Sequence, residues 1–165
     1  MALSKGINSY VTIEEADAYF ADRLDNTFSL ATSERKAQAL VTATMLIDNL
    51  NFIGVVSEEN QTLAFPRTGY YLDTNRGTSN LGYSHNIGSS MNPTPVRVIK
   101  AVYELANHLL TNENLLDDTG KVVSLDISSI KLDHIIPPGK MPSIVLDFLR
   151  PLRLNGGGNT WWRAN

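Results

Sequence analysis

The chain contains no cysteine. That excludes a disulfide framework, a thiol nucleophile, Cys-ligated zinc and iron–sulfur clusters. Charge is also scarce. Charged residues make up 19% of 165 residues, against about 25% in an average domain. No apolar run approaches the ~18 residues of a membrane helix, and Met1-Ala-Leu-Ser-Lys-Gly-Ile lacks the apolar core of a signal peptide. The expectation is a soluble protein of a reducing compartment, with no membrane partner. A basic face is missing too: 14 Lys+Arg face 17 Asp+Glu, a net charge of −3. A broad electrostatic grip on nucleic acid needs such a face.

What is present fits one globular unit. Hydrophobic residues reach 42%, and at this length a core buries roughly 68–70% of the unfolded surface. The charge is uneven. From Arg150 onward there are three arginines, Arg150, Arg153 and Arg163, and no acid. The preceding residues carry 11 basic and 17 acidic side chains, a net −6. This reads as an acidic body with a short basic tail.

Four stretches have helical spacing. Thr12-Ile-Glu-Glu15 is a capping box, followed by Ala16, Tyr19 and Phe20, with Leu24 as a further candidate. About 33–49 carries Ala37, Leu40, Val41, Thr44 and Ile47 on one stripe, with Ser33 as the expected N-cap. Gly54 follows, free to take a positive φ. Thr94-Pro95 supplies an expected N-cap and a Pro at the first helical position. Val98, Ile99, Val102, Leu105, Ala106 and Leu109 then share a face. The fourth helix, about 142–150, holds Ile144, Val145, Phe148 and Leu149 and is stopped by Pro151. Between the third and fourth the period falls to two (Val123, Leu125, Ile127, then Ile130, Leu132), which predicts a β-ribbon at about 121–133.

Two segments read as loops. Residues 70–92 are rich in Gly, Ser and Asn. They also hold Tyr70, Tyr71, Leu72, Leu81, Tyr83 and Ile87 without either period. Loops of this length inside a compact domain are functional or disordered; the expectation is a segment ordered against a neighbour on assembly, the alternative a loop folded over its own core. Asn155-Gly-Gly-Gly-Asn-Thr160 is a flexible tether leading to Trp161-Trp162-Arg163. The expected fold class is mainly α (α+β): a small bundle of about four helices with one β-ribbon, a long insert loop and an extended C-terminal arm. Residues 1–152 form the body and 153–165 the docking arm.

No catalytic, cofactor or metal site assembles from the residue pattern. His85, His108 and His134 lack ligand spacing, and no nucleophile elbow, phosphate loop or His-Glu-x-x-His motif occurs. Glu14-Glu15 is accounted for by the helix macrodipole. The unusual features are Gln61-Thr-Leu-Ala-Phe-Pro-Arg67 and the terminal tryptophans. In the first, Leu63 and Phe65 can pin the loop to the core with Arg67 pairing an acid; alternatively, Phe65 and Arg67 can meet a neighbour together with Tyr70, Tyr71 and Tyr83. In the second, Trp161, Trp162 and Arg163, with Arg150 and Arg153, are expected to dock on another subunit, since Trp and Arg are enriched at hot spots. A single-strand-binding groove would draw on Arg67, Tyr70, Tyr71 and Arg76.

Several blocks, taken in order, resemble a family of phage virion proteins. They are Ser9-Tyr10-Val11-Thr12 with Glu15-Ala-Asp-Ala-Tyr-Phe20, Lys36-Ala-Gln-Ala-Leu40 through Ile47-Asp48, and Phe52-Ile-Gly54 with Gln61–Arg67. Pro95-Val96 through Glu104-Leu-Ala106 and Val145 to Leu152 complete the set, over about residues 9–152. The family carries two labels: a DnaT-like single-stranded-DNA-binding protein, and a head-to-tail adaptor bound beneath the portal of a tailed phage. The adaptor label implies a homo-oligomeric ring, a dodecamer by symmetry matching. It sits at the head–tail junction of a virion assembled in the host cytoplasm. Its partners would be the portal protein, neighbouring adaptor subunits and a next tail protein of nozzle or head-closure type. Double-stranded DNA would pass through it during genome packaging without specific binding. The 70–92 insert and the Trp-ending arm depart from the family pattern; under the adaptor label the arm is expected to dock on the portal or on a neighbouring adaptor, and Phe65, Arg67, Tyr70, Tyr71 and Tyr83 on a neighbour or the next tail protein.

Overall fold

The computed structural model describes residues 2–24, 27–73, 88–112 and 141–154. The expected β-ribbon at 121–133 and the arm beyond residue 154 lie outside them. The described residues form an α+β fold of five helices, one 3-10 turn and two small antiparallel ribbons.

Helix α1 spans Ile13–Phe20 and opens on the expected capping box. The Thr12 hydroxyl accepts from the Glu15 amide, and the Glu15 carboxylate accepts from the Thr12 amide. It ends at Phe20, so Leu24 falls beyond it and is fully exposed rather than part of the stripe. A one-turn helix that the periodicity missed, α2 (Thr27–Leu30), drops Phe28 into the core, where its ring stacks on Phe20 at 4.9 Å. Four residues are too few to show a period.

Helix α3 (Ser33–Asp48) is capped by Thr32, one residue earlier than expected; its hydroxyl accepts from the Arg35 amide. The buried stripe is Ala39, Leu40, Ala43, Thr44 and Ile47, with Ala37 and Val41 half-buried at its edge. The buried face is thus rotated slightly from the expected one, taking in Ala39 and Ala43.

Helix α4 (Val96–Thr111) lies in the middle, packed against α2, α3 and α5. Ala101 to Asn107 are all buried. Its polar side stays outward, with Lys100 exposed and Arg97 half-buried. Its cap differs from the expected one. Pro95 occupies the N-cap position, and its carbonyl accepts from the amides of Val98 and Ile99. Helix α5 (Ser143–Leu149) inserts Val145 and Leu149 and leaves Ile144 exposed. The chain then tightens into a 3-10 turn at Arg150–Leu152, where Pro151 prevents α-helical continuation.

Two ribbons cover one end. Strand β1 (Val55–Val56) pairs with β2 (Arg67–Thr68), and β3 (Tyr70–Tyr71) pairs with β4 (Ser89–Ser90). Sequence periodicity predicted no element in the 70–92 insert. Its two ends are in fact zipped together, with Tyr70 opposite Ser90 and Tyr71 opposite Ser89. Backbone pairing does not require a side-chain period, which is why the pattern was silent. Met91 joins the ribbons. Its amide donates to the Gly69 carbonyl and its carbonyl accepts from the Arg67 amide. Its buried side chain fills the space left by two positive-φ glycines, Gly54 (φ +76°) and Gly69 (φ +134°).

Candidate functional site

The Gln61–Arg67 loop is bolted to the body by polar contacts. Gln61 Nε2 donates to the carbonyls of Leu63 (2.6 Å) and Pro66 (3.0 Å), and its Oε1 accepts from the Glu58 amide. The Ala64 amide donates to Asp48 Oδ2 at 3.1 Å, and the Phe65 amide to the Tyr10 hydroxyl at 3.0 Å. Tyr10 in turn donates to Asp48 Oδ1. The segment before α1, the end of α3 and the loop thus share one half-buried polar knot. Burial pushes both ionisations up: Tyr10 is held far above the usual phenol range, and the Asp48 carboxyl is raised despite the hydrogen bonds it accepts.

Phe65, expected at an interface, is 2% exposed and packs edge-on against Tyr10 and Phe52. Arg67 is likewise engaged inward, with carbonyls rather than an acid. Nε donates to Ile53 O (2.8 Å), one terminal nitrogen to Ala64 O (3.2 Å), and the other to Gly54 O (2.7 Å) and Phe52 O (3.4 Å). A planar guanidinium with five N–H donors suits this fan. Of the two readings for this loop, the structure favours pinning to the core, with carbonyls in place of the expected acid.

The stem of the insert splits its aromatic pair. Tyr71 is buried, so it is unavailable as a stacking platform. Tyr70 is 74% exposed, and Leu72 is exposed on the same outer side. Gly88 lets the stem close over Tyr70, since a Cβ there would come within 2.8 Å of Tyr70 Cβ. The stem is braced on α4. Arg97 Nε donates to Asp73 Oδ2 at 3.0 Å and its terminal nitrogen to Oδ1. Tyr71, Ser89, Val96, Lys100 and Phe148 line a groove of about 600 Å³ here. Tyr83 and Arg76 lie outside the described residues.

The other expected docking residues divide similarly. Arg150 is exposed, 3.9 Å from Asp147. Arg153 forms a backbone bridge with Phe52 that seats the closing segment beside residues 51–53. Trp161, Trp162 and Arg163 are outside the described residues.

One cluster escaped sequence reasoning. Glu104, buried on α4, accepts from the Tyr19 hydroxyl (2.7 Å) and from Arg23. Tyr19 stacks on Tyr103 at 4.6 Å, with Arg23 over its outer face. Burial pushes Tyr103 up to about 12. The available signal was a glutamate amid the apolar residues of the 96–111 segment, α4. Lys5 pairs with Glu15 at the surface, and the largely buried Lys36 pairs with Asp17 beside the Phe28 ring. The half-buried His108 is held below the usual imidazole value by burial. No metal-holding group of three or more His, Asp or Glu occurs among the described residues. No helix there is long and apolar enough to cross a membrane.

Residues 2–161 match the family described as "Putative DnaT-like ssDNA binding protein". The chain belongs to this family. The match covers the helical body, both ribbons and the tether, and it carries no head-to-tail adaptor assignment. No curated protein and no solved structure matches the chain.

Proposed function

We propose that the protein is a structural subunit rather than an enzyme: an adaptor that assembles with copies of itself into a ring beneath the portal of a tailed phage. It would extend the DNA channel and present a docking face to the next tail component. One observation carries the reading: several cations of the described body are engaged by partners within the chain, while a set of large apolar side chains stands exposed. Lys5, Arg23, Lys36 and Arg97 are paired with carboxylates, and Arg67 with carbonyls, while Lys100 and Arg150 are exposed. Meanwhile Val55, Val56, Tyr70, Leu72, Val96 and Leu154 are exposed. Protein contacts use such apolar side chains, whereas phosphate contacts use unengaged Lys and Arg. A net acidic body also suits a conduit, since it repels the phosphates that slide past.

A second reading has its own support. The family description names single-stranded-DNA binding, which would fit a replication protein. Its expected stacking set is reduced in the described residues to Tyr70, with Tyr71 buried and Arg67 engaged. Sedimentation of the protein alone, and negative-stain imaging with a portal, test the ring. An anisotropy titration with single strands near 150 mM salt tests the alternative. A monomer binding single strands at sub-micromolar Kd would replace the adaptor reading with the replication one.

A further inference from the structure

We infer that a groove between the first turns of α1 and α3 is the receptor for Trp161, Trp162 and Arg163 of a neighbouring copy. The inference rests on the ring reading above and names the contact that would close the ring. The groove measures about 640 Å³, within the range that takes a drug-sized ligand. Leu3, Ile13 and Ala37, all half-buried, supply an apolar floor. Glu14 and Glu34 stand exposed on its rim, one in the first turn of each helix. The rim cation, Lys5, is already held by Glu15.

The chemistry of the occupant matches. Indole Nε1–H and guanidinium groups are donors only, and the rim offers carboxylate acceptors. Each indole needs apolar cover, and the floor provides it. Arg163 belongs to the basic end of the chain, and the groove to the acidic body.

Reach favours a neighbouring copy. The Leu154 amide is fixed on the Asn51 carbonyl at 2.9 Å, just past the C-terminal end of α3. The groove sits at the other end of that helix, beside Ser33 to Gln38. From Ala37 to Asp48 the helix alone rises about 16 Å. Seven Gly-rich steps from Leu154 to Trp161 have a root-mean-square span of about 15 Å, with a limit near 24 Å when straight. A copy's own groove lies at or beyond that root-mean-square span and requires the tether to extend along the body. A neighbour's groove placed beside Leu154 does not.

The test uses the full chain, and its own fluorescence. Trp161 and Trp162 are the two tryptophans of the sequence, so indole emission reports on this segment alone. On assembly, followed by sedimentation, emission should move to shorter wavelength. Reversing the rim (Glu14→Arg with Glu34→Arg) should weaken association at least tenfold and return emission to that of solvated indole. Adding Arg163→Glu to that variant should recover part of both. Trp161→Ala with Trp162→Ala should weaken association by roughly 30-fold or more. Far-UV circular dichroism checks that each variant folds. A ring that forms with wild-type affinity in the tryptophan variant overturns this contact while leaving the ring reading standing. So does buried indole emission that ignores the rim reversal, or that is already present in a monomer. A chain that stays monomeric with solvated indoles at every concentration removes the ring reading, and this contact with it.

Discussion

Replacing Arg67 by Met keeps the aliphatic stem and removes every donor. In the native fold those donors satisfy carbonyls at Phe52, Ile53, Gly54 and Ala64. Hydrogen bonds to a charged group are worth about 1.5–3 kcal/mol net when one is removed. The four are not additive. The 3.4 Å contact is weak, and the Gly54 carbonyl can recover water because that side is exposed. Two well-placed bonds plus partial losses give about 3–4 kcal/mol. For a chain of this size that lowers Tm by roughly 6–16 °C. Urea unfolding followed by far-UV circular dichroism should show a lower midpoint at unchanged slope. Arg67→Lys should recover less than half of the loss, because an ammonium is a point donor and cannot span carbonyls on two loops. An Arg67→Met protein within 0.5 kcal/mol of wild type would refute the argument that this guanidinium holds the loops together.

Three further outcomes are expected. The folded Asp48 carboxyl titrates above its ordinary value of 3.8 because it is buried. The folded state therefore binds more protons than the unfolded one, and Asp48 contributes stability that is lost as pH rises from 3.8 through the raised value. The difference between wild type and Asp48→Asn, measured by urea unfolding across that window, should show this negative slope; a flat or rising difference contradicts it. Gly54→Ala should cost more than Gly69→Ala. Both force a positive φ on alanine, but at Gly54 the new Cβ meets the Thr68 carbonyl oxygen at 2.6 Å, whereas at Gly69 it meets the movable Met91 Cε at 2.8 Å; about 2–4 against 1–2 kcal/mol is expected, and thermal melts that reverse the order would count against the packing described. Tyr70→Ser with Leu72→Ser should leave stability within about 0.5 kcal/mol but weaken self-association in sedimentation; unchanged association would remove the insert stem from the interface.

The helices of this protein are written in local chemistry. The Thr12 capping box, the apolar spacing after Val98 and the stop at Pro151 depend on neighbours within a turn or two. They were legible in the chain and recur in the fold. Caps at Thr32 and Pro95 fell one residue from expectation, because cap choice between adjacent residues depends on how the preceding chain arrives.

Long-range geometry decided the rest. Phe65 and Arg67 could be read from sequence as a core pin or as a docking pair. Only the approach of Asn51–Gly54 and Asp48 from elsewhere in the chain supplied the carbonyls and carboxylate that turn the loop inward. Tyr70 and Tyr71 are chemically identical neighbours. Pairing with Ser89–Ser90 sends one to the core and the other to solvent. Glu104 became a buried partner of Arg23 and Tyr19 through residues more than eighty positions away. A period or a cap encodes contacts a few residues apart. Contacts between distant segments leave no such trace, because they depend on where packing brings those segments together.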